Sequence, residues 1–162
     1  MIVSAYLGID PGLSGGLALY DPAEATLETA EMPTLRIGTK RKIDVHALAR
    51  IIDNWADRTR EAWIEQVGVR PGEGAVGAFS FGRGYGQIEG VCCASFLSMQ
   101  TVTPQMWKRS LRITGDKDEA RAKASSLFPR HAHLWALKRQ DGVAEAALIA
   151  LYGARQAQAV AA

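Results

Sequence analysis

The chain has 162 residues, of which 48% are hydrophobic and 22% charged, with a formal net charge of +2. That composition suits a single soluble globular domain, read over residues 1–155, with an Ala/Gln-rich tail at 156–162 expected to fray. No apolar run approaches the ~20 residues of a membrane span, the opening Met-Ile-Val-Ser-Ala lacks the parts of a secretory signal, and the near-neutral total charge does not by itself announce a nucleic-acid partner.

In chain order, residues 2–9 are mostly apolar and predict a buried strand. Asp10-Pro11-Gly12 and Gly15-Gly16 signal a turn, Leu17 to Tyr20 a second strand, and residues 26–32 a third after Asp21-Pro22. Short turns between consecutive strands predict an antiparallel meander. Residues 34–43 are polar, with Gly38 and the cations Lys40, Arg41 and Lys42, and are expected to form a loop. Asp44 is a suitable N-cap for a helix carrying Val45, Leu48, Ile51, Ile52 and Trp55 at helical spacing. Ala62 to Val67 predicts a fourth strand, residues 68–77 a glycine-rich exposed loop, about 79–97 a helix, and Gln100 to Thr103 a fifth strand. Pro104 suits the first turn of a short helix with Met106, Trp107 and Leu111, and Asp116 suits the cap of a helix to about Leu127. A final helix is expected from Asp141 to about Arg155. The order βββαβαβααα predicts an α/β fold with a mixed sheet covered by helices. Cys92 and Cys93 have no metal-ligand spacing and read as two buried residues in a reducing cytosol.

Cations cluster at Lys108, Arg109 and Arg112, at Lys117, Arg121 and Lys123, and at Lys138 and Arg139. They suit either a phosphate-tracking face or ordinary solvated helix faces. Four acids stand out, although each alone has a bland reading. Asp10 suits a turn, Glu65 an edge strand, and Asp141 a helix cap. Glu145 is four residues beyond Asp141, and Leu148 and Tyr152 continue the same helix face. That pair of carboxylates is therefore expected to point toward the sheet, where an unpaired charge is very costly. Clustered carboxylates repel one another, and a hard divalent cation with oxygen ligands resolves the repulsion. Two such ions can drive phosphodiester hydrolysis without a covalent side-chain nucleophile.

Five motifs stand out along the chain. They are Leu7-Gly8-Ile9-Asp10-Pro11-Gly12 with Ser14-Gly15-Gly16, then Ile64-Glu65-Gln66-Val67, then Gly82-Arg83-Gly84-Tyr85-Gly86 with Glu89-Gly90-Val91, then Thr103-Pro104-Gln105-Met106-Trp107-Lys108, and last Asp141-Gly142-Val143-Ala144-Glu145-Ala146. In that order, across nearly the whole chain, they resemble the motifs of RuvC-type Holliday junction resolvases. The resemblance implies an RNase H-like fold with a five-stranded mixed sheet, three strands antiparallel and two parallel, flanked by helices. It implies a homodimer acting on four-way DNA junctions by paired symmetric nicks. It also implies metal ligation by Asp10, Glu65, Asp141 and Glu145, with Mg²⁺ the expected ion and Mn²⁺ a substitute. No membrane and no nucleotide cofactor are implied, and the expected location is the cytoplasm of a bacterial or phage-infected cell. Two departures exist. Bacterial members space the last two acids three apart, whereas here the gap is four and the second acid is a glutamate. The aromatic that follows the strand acid in those enzymes is replaced by Gly68. The four-residue spacing, with the Gly-rich Pro71 to Gly77 loop and Phe79-Ser80-Phe81-Gly82, looks more like the phage and chloroplast branch, and Gly68 leaves the junction-opening role to another residue.

Residues 69–86 are expected to enter the junction centre, with Arg70 and Arg83 supplying charge and Phe79, Phe81 or Tyr85 stacking on a base. Lys108 and Lys117 resemble family phosphate contacts, whereas Trp107 reads as core and His46, His131 and His133 as surface or loop residues. Two other classes compete. An actin-like or sugar-kinase ATPase shares Gly8-Ile9-Asp10 before a glycine-rich hairpin, but needs two lobes and a second phosphate loop that this chain lacks. A non-catalytic junction-binding protein would not need all four acids. A broader nuclease for forks and flaps stays open.

Overall fold

The computed structural model describes residues 3–69, 72–115 and 117–161, with Lys117 and Ala161 described by their backbone alone. The first apolar segments pair as a meander of β1 (Ala5–Asp10), β2 (Gly16–Asp21) and β3 (Thr26–Glu31), both pairings antiparallel. Residues 34–43, expected to be a loop, instead form a separate two-stranded hairpin of β4 (Thr34–Ile37) and β5 (Lys40–Ile43). Gly38 turns it at a φ of +59°, where a side chain is disfavoured. Asp44 then caps α1 (Val45–Ala56) by accepting from the Ala47 amide at 3.0 Å, and the helix buries Leu48, Ile52 and Trp55.

Strand β6 (Thr59–Glu65) lies parallel to β1, and β7 (Met99–Val102) parallel to β6, so the sheet order is β3-β2-β1-β6-β7. Between them runs α2 (Ala75–Ala94), which begins four residues earlier than expected and stops before Phe96, whose φ is +55°. Four glycines and a proline had suggested a loop over 68–77, yet Ala75 to Gly77 already belong to this helix. After β7 come α3 (Pro104–Ser110), with Pro104 in its first turn, and α4 (Lys117–Leu127). Two 3-10 turns, Pro129–Trp135 and Lys138–Gln140, occupy the expected loop. The last helix, α5 (Asp141–Ala161), continues six residues past Arg155, through most of the segment expected to fray. Asp116, the expected cap of α4, and Arg70 lie outside the described residues.

The sheet separates two cores. Side chains alternate along each strand, so Leu7, Ile9, Leu17, Leu19, Ala62 and Ile64 face α1 and α2. The intervening positions, among them Ala18, Tyr20 and Trp63, face α5 and the elements around it. Helix α5 lies unusually close to the sheet. A Cβ on Gly8 would sit 2.1 Å from the Ala146 carbonyl oxygen, and one on Gly142 would sit 2.4 Å from the Gly15 Cα. Gly15 and Gly142 are joined by an isolated parallel bridge. The two cysteines divide: Cys92 is buried, its thiol pushed up to about 12 first by burial and then by Glu89, whereas Cys93 is exposed on α2. Among the described residues no helix is long and apolar enough to cross a membrane.

Candidate active site

Strand alternation places the first two acids. Ile9 pairs with Ile64, and both face the α1–α2 side. The next residue on each strand, Asp10 and Glu65, therefore falls on the opposite face, at the carboxyl ends of neighbouring parallel strands. Crevices outside such strand ends are the usual ligand sites of open α/β sheets. The last helix crosses that face and supplies Glu145 and Asp141, which are 6% and 7% exposed.

A cleft of about 340 Å³ opens between these elements. Asp10, Glu65 and Glu145 line it, together with Ser14 and Gly15 of the β1–β2 loop, Phe81 of α2 and Lys108 of α3. Asp141 is not in the lining. It lies one helical turn away, with its Oδ1 3.5 Å from Arg121 Nη1, and that buried oxygen accepts no hydrogen bond among the described residues. Three of the four acids thus share a cleft, and the fourth is set aside against a cation.

Each acid has identifiable support. Asp10 Oδ1 accepts from the Gly12 amide at 3.3 Å, within the turn that follows β1. Glu65 Oε1 accepts from Trp107 Nε1 at 2.8 Å. Trp107 is fully buried, as expected for a core residue, but its indole N–H also orients an acid of the cleft. A buried indole generally finds an acceptor, which is the sequence signal for this contact; its partner, 42 residues earlier, could not be read from spacing. Glu145 Oε1 lies 3.6 Å from Lys108 Nζ. Arg121 bridges Asp141 and Asp118, with 2.7 Å from its Nη2 to Asp118 Oδ1. It stood out in the sequence only as one member of a cationic cluster.

The donor set is entirely carboxylate oxygen, which suits a hard divalent cation, and Asp141 Oδ1 is a buried acceptor that receives no hydrogen bond among the described residues, only the ion pair with Arg121. The side chains as they stand are not gathered, however. Among the described residues no three carboxylate, imidazole or thiol groups are grouped to hold an ion. Lys108 and Arg121 lie where a cation would otherwise neutralise Glu145 and Asp141.

The expected DNA contacts fall in different places. Phe81 lines the acid cleft itself, and its ring lies 6.5 Å from that of Tyr85. Tyr85 is half-buried against the α1–α2 core, and burial, followed by the charges of Glu89 and Glu65, raises its phenol above the ordinary value. Phe79 of α2 is 74% exposed, and Arg83, also on α2, is exposed. Neither phenylalanine is a core residue. Lys108 lines the cleft, whereas Arg70 and the side chain of Lys117 lie outside the described residues. His46 and His133 are exposed and His131 is half-buried, and none of the three lines the acid cleft.

The mixed sheet, its strand order and the helices on both faces define an RNase H-like α/β domain. No known family profile matches the sequence, and no curated protein sequence is similar to it. Solved structures are similar. A Thermus thermophilus RuvC in complex with Holliday junction substrate superposes with a TM-score of 0.67 at 17% identity, covering 96% of each chain. A second structure of Thermus thermophilus RuvC gives 0.64 at 18% identity, again over 96% of each chain. A yeast mitochondrial Holliday junction resolvase gives 0.55 at 14% identity, over 96% of this chain and 80% of that one. At such identities the likeness is one of fold.

Proposed function

We propose that the protein is a metal-dependent endonuclease that resolves four-way DNA junctions by paired symmetric nicks. The observation that carries this reading is the cleft at the ends of β1 and β6, which Asp10, Glu65 and Glu145 line together with Lys108, in a fold shared with a protein solved on a Holliday junction. Fold alone does not assign function; the three acids in one cleft supply the chemistry.

In this reading Asp10, Glu65, Glu145 and Asp141 would hold the cation, Mg²⁺ or Mn²⁺ in its place. A bound divalent ion supplies Lewis-acid activation for in-line hydrolysis of a phosphodiester. The protein's own groups do the rest. Lys108 pairs with a phosphate oxygen once it leaves Glu145. Trp107 holds Glu65 in orientation. Phe81 closes the side of the cleft against which an unstacked base can rest. Asp141 leaves Arg121 by side-chain rotation.

A homodimer suits a two-fold substrate, and α2 supports one. Phe79, Gly82, Gly86, Gly90 and Cys93 recur at three- and four-residue spacing and are all exposed, with nothing within 4 Å of a Cβ built on any of the three glycines. A second helix can approach such a face closely.

With Mg²⁺, the purified protein is expected to nick a synthetic four-way junction much faster than linear duplex, and chelation should stop the reaction. Equal rates on both substrates would leave a nuclease without junction specificity. Asp10→Asn and Glu145→Gln should each abolish cutting and retain junction binding. Loss of binding as well would make those acids structural.

A further inference from the structure

A second recess lies beside the acid cleft, across the β1–β2 loop. It measures about 210 Å³, and Ser14, Gly15, Thr34, Arg41 and Arg139 are among its lining residues. Ser14 and Gly15 line the acid cleft too, so the two spaces share a wall. A smaller recess of about 60 Å³ places Lys42 and Arg83 on the other flank of Leu13. Four cations thus bracket one loop tip next to the carboxylates. Against them the two recesses bring a single acid, Glu31, among the described residues.

An ordinary solvated cationic face carries acidic neighbours, as Arg58 has Glu28 and Arg121 has Asp118. This one does not. The side chains of Lys42 and Arg139 make no hydrogen bond or ion pair among the described residues. Arg41 is fixed instead by carbonyl and hydroxyl oxygens, donating through Nη2 to the Leu13 carbonyl at 2.6 Å and to Thr34 Oγ1 at 3.3 Å. That contact staples the β4–β5 hairpin to the loop following Asp10, so its cations are set beside the cleft rather than left on a free arm.

We infer that the β4–β5 hairpin is a phosphate-gripping arm. Arg41 and Arg139 on one side of Leu13, with Lys42 and Arg83 on the other, bind backbone phosphates of the DNA strand that enters the acid cleft. This rests on the junction-nuclease reading and adds to it the side on which the cut strand is held. Guanidinium forks match phosphate oxygens, and lysine adds a point charge. Contacts of this kind fix register without reading sequence. Each phosphate neutralised releases condensed counterions, so the arm contributes a salt-dependent part of the affinity.

The test is junction binding against salt in the cleavage-deficient Asp10→Asn protein, with Lys42→Gln and Arg139→Gln added singly and together. Each substitution is expected to lower the slope of log K against log salt by about one, and the pair by about two. The loss should be the same for junctions of different sequence, and the circular dichroism spectrum unchanged. A second arm replaces phosphates flanking the scissile position with neutral methylphosphonates. The parent should lose affinity, and the double variant should lose little more. An unchanged slope in the double variant overturns the inference, as does a methylphosphonate loss as large in the double variant as in the parent. Should the double variant misfold, indifference of the parent to the methylphosphonates would overturn it alone. Unsubstituted protein that neither binds nor cuts four-way junctions refutes the functional reading instead. Unsubstituted protein that does both, beside a double variant with the full salt slope, refutes only the arm.

Discussion

Helices α2 and α5, of 20 and 21 residues, are both rich in small side chains and use them in opposite ways. In α5 every residue from Asp141 to Ala154 is buried, and a Cβ on Gly142 or on the facing Gly8 would collide with backbone. In α2, Gly82, Gly86 and Gly90 stand in open space and only Ile88, Val91 and Cys92 are buried. Glycine costs a helix roughly 0.5–1 kcal/mol relative to alanine. In α5 that cost is offset by close contact with the sheet, which carries the acids. In α2 no described residue packs against those three glycines, and the dimer proposed above would use that face.

The largest expected effect is at the tight contact. Gly8→Val should destabilise the fold by more than about 3 kcal/mol, because overpacking against backbone exceeds what side-chain shifts absorb. Thermal denaturation should then show a fall of roughly ten degrees or more; a small fall would mean that α5 can lift from the sheet. Next is Trp107→Phe, which keeps the ring buried and removes the hydrogen bond to Glu65. The expected loss is about 1.5–3 kcal/mol, and the cutting rate should fall more than junction affinity does. Equal losses in both would make Trp107 a packing residue alone. In α2 the sign reverses. Gly86→Ala should stabilise the separate chain by roughly 0.5–1 kcal/mol while weakening self-association in sedimentation experiments. Cys93 reports on the same face. Association should slow its alkylation, with Cys92 unreactive throughout because its thiol is pushed up to about 12. Stabilisation of the chain with association unchanged would remove α2 from the interface.

The smallest effect serves as a control, at a staple that involves neither helix. Glu28 of β3 accepts from Arg58 and, at 3.1 Å, from Trp55 Nε1. The Arg58 hydrogen bond comes first among the causes that hold its carboxyl below the ordinary range. A depressed carboxyl stabilises the fold above its unfolded pKa, and that contribution is lost as pH falls through the lower folded value. Both side chains are close to half exposed, so the contribution is under about 1 kcal/mol. The difference in thermal midpoint between the parent and Glu28→Gln should be present at neutral pH and shrink in acid. A constant difference would assign the effect to packing.

The sheet was legible because its strands are apolar runs broken by turn residues, and Asp10 and Glu65 because each ends such a run. The inward placement of Asp141 and Glu145 was reached through a helix stripe shared with Leu148 and Tyr152. Their burial has a broader cause, since α5 is enclosed on all sides over 141–154. The hairpin at 34–43 escaped notice because its strands have four residues each, and alternation that short is masked by three adjacent cations. The Trp107–Glu65 and Arg121–Asp141 contacts escaped for another reason. They join residues far apart in the chain, which no local period encodes.

The bridge between Gly15 and Gly142 ties the loop after Asp10 to the first turn of α5. Backbone so bound, beneath a helix buried throughout 141–154, opens only in sub-global events, and its amides should be among the slowest to exchange hydrogen with solvent. Exposed side chains hop between rotamers in picoseconds to nanoseconds. Two clocks therefore run in one site. The half-buried Asp10 and Glu65 can reorient toward the fast one, whereas the buried Glu145 and Asp141 and the frame that presents them keep nearer the slow one.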